Sequence, residues 1–136
     1  MQRPNLNKKL GVLGGGQLGK MLGLAAANLG VEALFYDPDP NAPAKKISSL
    51  SFNEKYDNKI KLLEFAKKCD FITYEFENIP INCLKEINKK IKIFPGIKAL
   101  QISQDRHFEK SFIANLGVKV ANYANIKCFK DIEIFL

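Results

Sequence analysis

Three short clusters in this sequence combine residue types and spacings that chemistry can use. The first is Gly14-Gly15-Gly16-Gln17-Leu18-Gly19, where Gly14, Gly16 and Gly19 stand at G-x-G-x-x-G spacing. Glycines so placed allow a tight turn and let a ligand approach the backbone. If a helix follows, its first N–H groups and its dipole attract an anion. The second cluster is Thr73-Tyr74-Glu75-Phe76-Glu77-Asn78-Ile79-Pro80, whose two carboxylates and one amide can hold sugar hydroxyls or an exocyclic amine. The third is Asp105-Arg106-His107-Phe108. Arg106, one of two arginines in the chain, offers a planar guanidinium that pairs bidentately with phosphate oxygens. Each cluster also has a plainer reading. The glycines can simply seat a helix on a sheet, Asn78 can cap the next helix, and Arg106 can make a surface ion pair in a capped helix. His107 has no Cys, Ser or His companion in a recognisable arrangement and reads as structural or solvated; Tyr74 and Phe76 read as core or pocket wall.

Alternating strand and helix patterns position these clusters. Leu10–Leu13 is short, apolar and suited to a strand, and it runs straight into the glycines. Leu18, Met21, Leu22, Ala25 and Leu29 then recur at helical spacing, with Gly30 where a helix C-cap belongs. Val31–Tyr36 reads as a second strand ending at Asp37, and the proline-rich Asp37–Pro43 as a loop. Ser48–Phe52 suits a short strand. A helix follows over 58–68, with Ile60, Leu63 and Ala66 or Lys67 on its faces. Asp70–Tyr74 reads as the third main strand and opens into the acidic cluster. Pro80 starts a helix with Leu84 and Ile87 inward, Ile91–Phe94 is a further strand, and Pro95-Gly96 stops it. The last clear helix spans 105–116, with Phe108, Phe112 and Leu116 on one face. This alternation predicts an α/β fold with a parallel sheet and flanking helices.

Composition narrows the function classes. The 136 residues are 46% hydrophobic and 26% charged, an ordinary globular balance that excludes a disordered or collagen-like polymer. The formal charge of +7 is spread along the chain, and its longest basic runs are pairs such as Lys8-Lys9 and Lys89-Lys90. That pattern suits a lysine-rich solvated surface and anionic small ligands, not a nucleic-acid-binding stripe. Three cysteines without CxxC spacing read as reduced structural thiols. No apolar run approaches the roughly 20 residues of a membrane span, and MQRPNLNKKL lacks a leader's apolar stretch, so the expected location is cytoplasmic. A domain boundary is expected near residues 96–104. The apolar finish, Ile134-Phe135-Leu136, suggests a piece of a longer chain.

Asp37 lies 23 residues after Gly14, at the end of the second strand, where a nicotinamide dinucleotide domain keeps its ribose carboxylate. From residues alone, a dehydrogenase domain therefore stands as an alternative. The segments GGGQLGKML, FYDPDPNAPA, ITYEFENIP and ISQDRHFEKSFIANLGV, taken together from Lys9 to Tyr123, closely resemble the N-terminal part of the 5-(carboxyamino)imidazole ribonucleotide synthetase family. These are ATP-grasp ligases of bacterial and fungal purine biosynthesis.

The resemblance implies a Rossmann-like pre-ATP-grasp domain over residues 1–100, then the start of an ATP-grasp domain over 101–136. It implies ATP-dependent carboxylation of aminoimidazole ribonucleotide by bicarbonate, giving ADP and phosphate, in a cytoplasmic homodimer with neither nucleic acid nor membrane as partner. It places substrate contacts at Gly15, Gly16, Gln17, Leu18, Glu75, Glu77 and Asn78, and an ATP contact at Arg106. No catalytic residue or metal ligand is implied here. Mg2+ ligands and most ATP contacts are expected in segments this chain lacks, so the chain alone is expected to turn over no ATP. Lys20 stands where the family commonly has arginine, which keeps the charge and loses the fork. Under this reading Asp37 is a loop-forming residue before the prolines. A related ATP-grasp enzyme, such as a formate-dependent glycinamide ribonucleotide transformylase, is disfavoured by Gln17, where glutamate is expected.

Overall fold

The computed structural model describes residues 8–135, so residues 1–7, which were read for a leader, and Leu136 lie outside the described residues. The chain divides into two compact units, Met1–Ile97 and Lys98–Leu136.

In the first unit, four parallel strands lie in the order β3-β2-β1-β4: β1 (Lys9–Leu13), β2 (Glu32–Tyr36), β3 (Ser51–Phe52) and β4 (Phe71–Tyr74). Val12 pairs with Phe35 on one side and Thr73 on the other, which makes β1 an interior strand. Val12, Leu13, Leu34, Phe35, Tyr36 and Ile72 are all buried, the continuous apolar signature of strands covered on both faces. The α/β expectation holds.

The elements α1 (Gln17–Asn28), α2 (Lys59–Ala66) and α3 (Ile81–Asn88) alternate with these strands. Gly30, at φ 72°, closes α1 in the left-handed conformation expected of a glycine there, and Val31 N–H bonds back to the Ala26 carbonyl at 2.9 Å. A 3₁₀ turn, Pro43–Ile47, forms just beyond the proline-rich loop.

Three elements depart from the sequence reading. The α1 face that packs inward is Gly19, Gly23 and Ala26, whereas Leu18 and Met21 remain 61% and 58% exposed. The reason is steric. A Cβ on Gly23 would sit 2.7 Å from Phe35 Cζ, so the small-residue stripe is the one that lets the helix backbone lie on the sheet. In α2 the buried residues are Leu62, Phe65 and Ala66, while Ile60 faces out. Phe65 sets that phase, because its ring meets Tyr36 and Phe52 edge-on with centroids 5.5 Å from each. Burying such a ring stabilises by roughly 2–3 kcal/mol. The stretch expected as a strand at Ile91–Phe94 makes only a single bridge, Ile93 to Ile72. Pro95 has no N–H with which to extend the pairing. In α3, Leu84 and Ile87 point inward as expected, joined by Cys83.

The second unit holds all but the first residue of α4 (Ile97–Ser103), which the sequence reading missed, and α5 (Arg106–Asn115) and α6 (Phe129–Phe135). Asp105 caps α5 by accepting the His107 and Phe108 amides at 2.8 and 3.0 Å. None of the α5 side chains is buried, so Phe108, Phe112 and Leu116 share a face without forming a core here. No helix among the described residues is long and apolar enough to cross a membrane.

The thiols follow their surroundings. Burial pushes the Cys69 thiol up to about 12 and raises Cys83, while Cys128 is exposed. At pH 8 an alkylating reagent is expected to modify exposed Cys128 readily and Cys69 on the order of a thousandfold more slowly, because the thiolate is the nucleophile. Peptide mass mapping with and without denaturant checks this; equal labelling of the two in the folded protein would contradict it.

Candidate functional site

The loop between β1 and α1 is gripped by carboxylates from both neighbouring strand ends. Gly14 has φ 110°, a conformation that needs glycine, and its N–H donates to the Tyr36 carbonyl at 3.0 Å. The Gly15 N–H donates to Asp37 Oδ2 at 2.6 Å, just past the end of β2. The Gly16 N–H donates to Glu75 Oε1 at 3.1 Å, just past the end of β4. Because β1 lies between β2 and β4, its loop sits between the two acids.

Two of the amides that the sequence offers to an anion therefore already carry carboxylates. The next ones do not. Gly16, the N-cap of α1, makes no side-chain capping bond, and the Gln17, Leu18 and Gly19 N–H groups meet no protein acceptor among the described residues. These open donors stand at the carboxyl edge of a parallel sheet, where such folds bind ligands. Gln17 and Leu18 are exposed there.

Glu75 is half-buried; its own N–H bonds the Leu13 carbonyl at 3.0 Å, which keeps it against the loop. With Leu18, Met21, Leu22 and Ala25 it lines a hollow of about 480 Å3. An apolar wall with one carboxylate at its edge suits a flat, weakly polar ring bearing hydroxyl or amino donors. Glu77 and Asn78 lie exposed beyond Glu75. Asn78 does not cap the next helix, whose N-cap is Pro80 without a side-chain bond. A larger hollow, about 890 Å3, lies between the end of α2, the start of β4 and Lys90–Lys92; none of the candidate substrate or ATP contacts lines it.

Arg106 belongs to the second unit. Its side chain is 79% exposed and its Nη1 meets Glu109 Oε2 at 2.5 Å, the surface ion pair that the sequence allowed. His107 stacks edge-on against Phe108 and Tyr123, a structural setting.

Residues that the sequence reading did not assign to the site also shape it. Tyr56 donates its hydroxyl to Asp37 Oδ2 at 3.3 Å and stacks on Phe76 with centroids 5.4 Å apart. Burial, first, and the nearby Asp37 carboxylate raise the Tyr56 pKa well above the ordinary tyrosine range, so it stays a donor. The Lys45 ammonium bonds the main-chain carbonyls of Asp37, at 2.6 Å, and Asp39; burial lowers its pKa. No sequence spacing announces Tyr56, which lies in an irregular loop 19 residues from its partner. The Asp37 carboxylate is thus engaged by the protein itself, which removes the observation that favoured a dinucleotide ribose.

The model of the ribonucleotide synthetase preATP-grasp domain matches residues 7–104. The chain is 39% identical over 124 residues to the N5-carboxyaminoimidazole ribonucleotide synthase of Staphylococcus aureus, covering 91% of this chain and 33% of that protein. The solved S. aureus N5-carboxyaminoimidazole synthetase, complexed with ADP, superposes with TM-score 0.86 at 35% identity over 95% of this chain and 36% of that one. The Aspergillus clavatus synthase, complexed with ADP and 5-aminoimidazole ribonucleotide, gives 0.75 at 32% identity over 85% and 31%. The chain spans about a third of the length of these proteins. A parallel sheet of order β3-β2-β1-β4, a glycine loop opening α1 and a match over most of the chain converge on one assignment: the chain belongs to the ribonucleotide synthetase preATP-grasp domain family.

Proposed function

We propose that this chain is the ribonucleotide-binding part of an ATP-dependent carbon–nitrogen ligase of purine biosynthesis. The ligase carboxylates aminoimidazole ribonucleotide with bicarbonate to N5-carboxyaminoimidazole ribonucleotide, giving ADP and phosphate. The observation that carries this reading is the set of open amides at Gln17 and Leu18 beside the Glu75 carboxylate. Amides at a helix start suit the phosphate, and the carboxylate suits ribose hydroxyls or the exocyclic amine. Gly15 and Gly16 shape the turn, and Glu77 and Asn78, exposed just after Glu75 in the chain, are further substrate contacts in this reading. In this assignment the chain binds and orients the nucleotide and contributes no catalytic group.

Residues 1–100 form the substrate-binding domain and 101–136 open the ATP-grasp domain. The division of the chain at Ile97/Lys98 and the family match to residue 104 support that arrangement. Arg106 fits ATP as an exposed cation at the start of α5. When bound, ATP supplies the phosphoryl group that activates bicarbonate. Among the described residues no group of three or more His, Cys, Asp or Glu side chains is placed to hold a metal ion, so these residues do not fit Mg2+ and no step is assigned to it. The reading includes a cytoplasmic homodimer acting on small molecules, with no nucleic-acid or membrane partner. The homodimer rests on the family resemblance, and the location and absent partners rest on the spread charge and short apolar runs of the sequence.

A thermal unfolding series tests the assignment. Aminoimidazole ribonucleotide at a hundredfold excess over its Kd is expected to stabilise the protein by about 2.7 kcal/mol, and NADH is expected to leave it unchanged. Stabilisation by NADH without stabilisation by the ribonucleotide would overturn the reading.

A further inference from the structure

Asp37 is held on every side before it touches the glycine loop. Its N–H donates to the Phe52 carbonyl at 3.0 Å, and its own carbonyl accepts the Lys45 ammonium at 2.6 Å. The carboxylate accepts three donors: Gly15 N–H at 2.6 Å and the Tyr56 hydroxyl at 3.3 Å on Oδ2, and Asp39 N–H at 2.8 Å on Oδ1. Gly15 is fixed in return. Besides donating to Asp37, it accepts the Ala44 N–H at 2.9 Å, and a Cβ on it would lie 2.9 Å from Ala42 Cβ. Both hydrogen-bonding groups of Gly15 are therefore tied to the segment after β2. A residue pinned in this way sets the direction of the peptides that follow it, and the open amides of Gln17 and Leu18 come two and three residues later.

We propose that Asp37, backed by Tyr56, is a positioning residue: by clamping Gly15 it aims the Gln17 and Leu18 amides at the phosphate of the ribonucleotide without touching the ligand. This rests on the ribonucleotide reading above. The three donors leave the carboxylate little capacity for a sugar hydroxyl, since a carboxylate offers about four acceptor positions. Those donors also offset its charge, so an anion can approach the neighbouring amides.

The test compares the wild-type protein with Asp37→Ala, Asp37→Asn and Tyr56→Phe. Calorimetry measures binding of aminoimidazole ribonucleotide and of the corresponding nucleoside without its phosphate, and NMR follows amide exchange at Gly15–Leu18 without ligand. Asp37→Ala is expected to weaken ribonucleotide binding about tenfold, the scale of a charge-assisted hydrogen bond. Nucleoside binding is expected to stay unchanged, while Gly15 exchange accelerates. Asp37→Asn keeps an acceptor for Gly15 but turns its NH2 toward the Asp39 N–H, so it falls between wild type and alanine. Tyr56→Phe retains the carboxylate and produces a smaller loss of the same phosphate-dependent kind; it decides the matter if Asp37→Ala does not fold. Equal losses for nucleoside and ribonucleotide, or faster Gly15 exchange with unchanged ribonucleotide affinity, overturn the proposal. Wild-type protein that binds neither compound overturns the ribonucleotide reading itself, whereas variants that bind the ribonucleotide as tightly as wild type overturn only the role of Asp37.

Discussion

On the proposed function, Glu75→Ala in the full-length ligase is expected to raise the ribonucleotide requirement by roughly ten- to a hundredfold while changing the ATP requirement far less. Two effects combine. The carboxylate is the one acid in the hollow beside the open amides, so its loss removes a charge-assisted acceptor for the ligand's hydroxyl or amine. It also strips the Gly16 N–H of its partner, leaving that amide to water or to the ligand's phosphate. Glu75→Gln separates these contributions. A glutamine carbonyl can still accept from Gly16 but carries no charge, so a loss shared by both variants measures the charge toward the ligand. Initial-rate kinetics with each substrate varied in turn provide the readout. Equal increases in both requirements would withdraw the assignment of Glu75 to the ribonucleotide.

The largest stability effect is expected at Gly19. A Cβ there would stand 2.4 Å from the Gly14 carbonyl oxygen and 3.2 Å from its carbon. That neighbour is backbone at the base of the glycine loop and cannot swing aside, so the helix must lift from the sheet. Gly19→Ala is expected to cost roughly 3 kcal/mol in urea unfolding. The informative comparison is Met21→Ala. If the large apolar residues of α1 were its packed face, this truncation would cost roughly 2–5 kcal/mol. With Met21 58% exposed, a change within about 0.5 kcal/mol is expected instead. A large loss at Met21 combined with a tolerant Gly19 would reverse the orientation given to α1.

That pair of substitutions marks where sequence legibility stops. The glycine loop, the helix after it and the strand alternation are visible in the chain because they answer local demands: a backbone conformation open to glycine, a 3.6-residue period, a short apolar run. Residue types announced the acidic turn and Arg106 in the same way. Which stripe of α1 turns inward is not a local matter. Period alone favours the large side chains Leu18, Met21 and Leu22, but the sheet sets the distance, and only Gly19, Gly23 and Ala26 allow the close approach. In α2, likewise, the phase follows Phe65 reaching rings that β2 and β3 supply.

The site divides along the same line. The sequence by itself determined that Gly14–Gly19 opens a helix with anion-seeking amides and that carboxylates stand at the ends of the following strands. Only the tertiary structure decided which amides remain available. Strand order places β1 between β2 and β4, so Asp37, 22 residues from Gly15, and Glu75, 59 residues from Gly16, take the two leading donors and leave those of Gln17 and Leu18 open. Hydrogen-bond partnership depends on distance in space, and chain spacing carries no record of which strand ends the sheet will bring together.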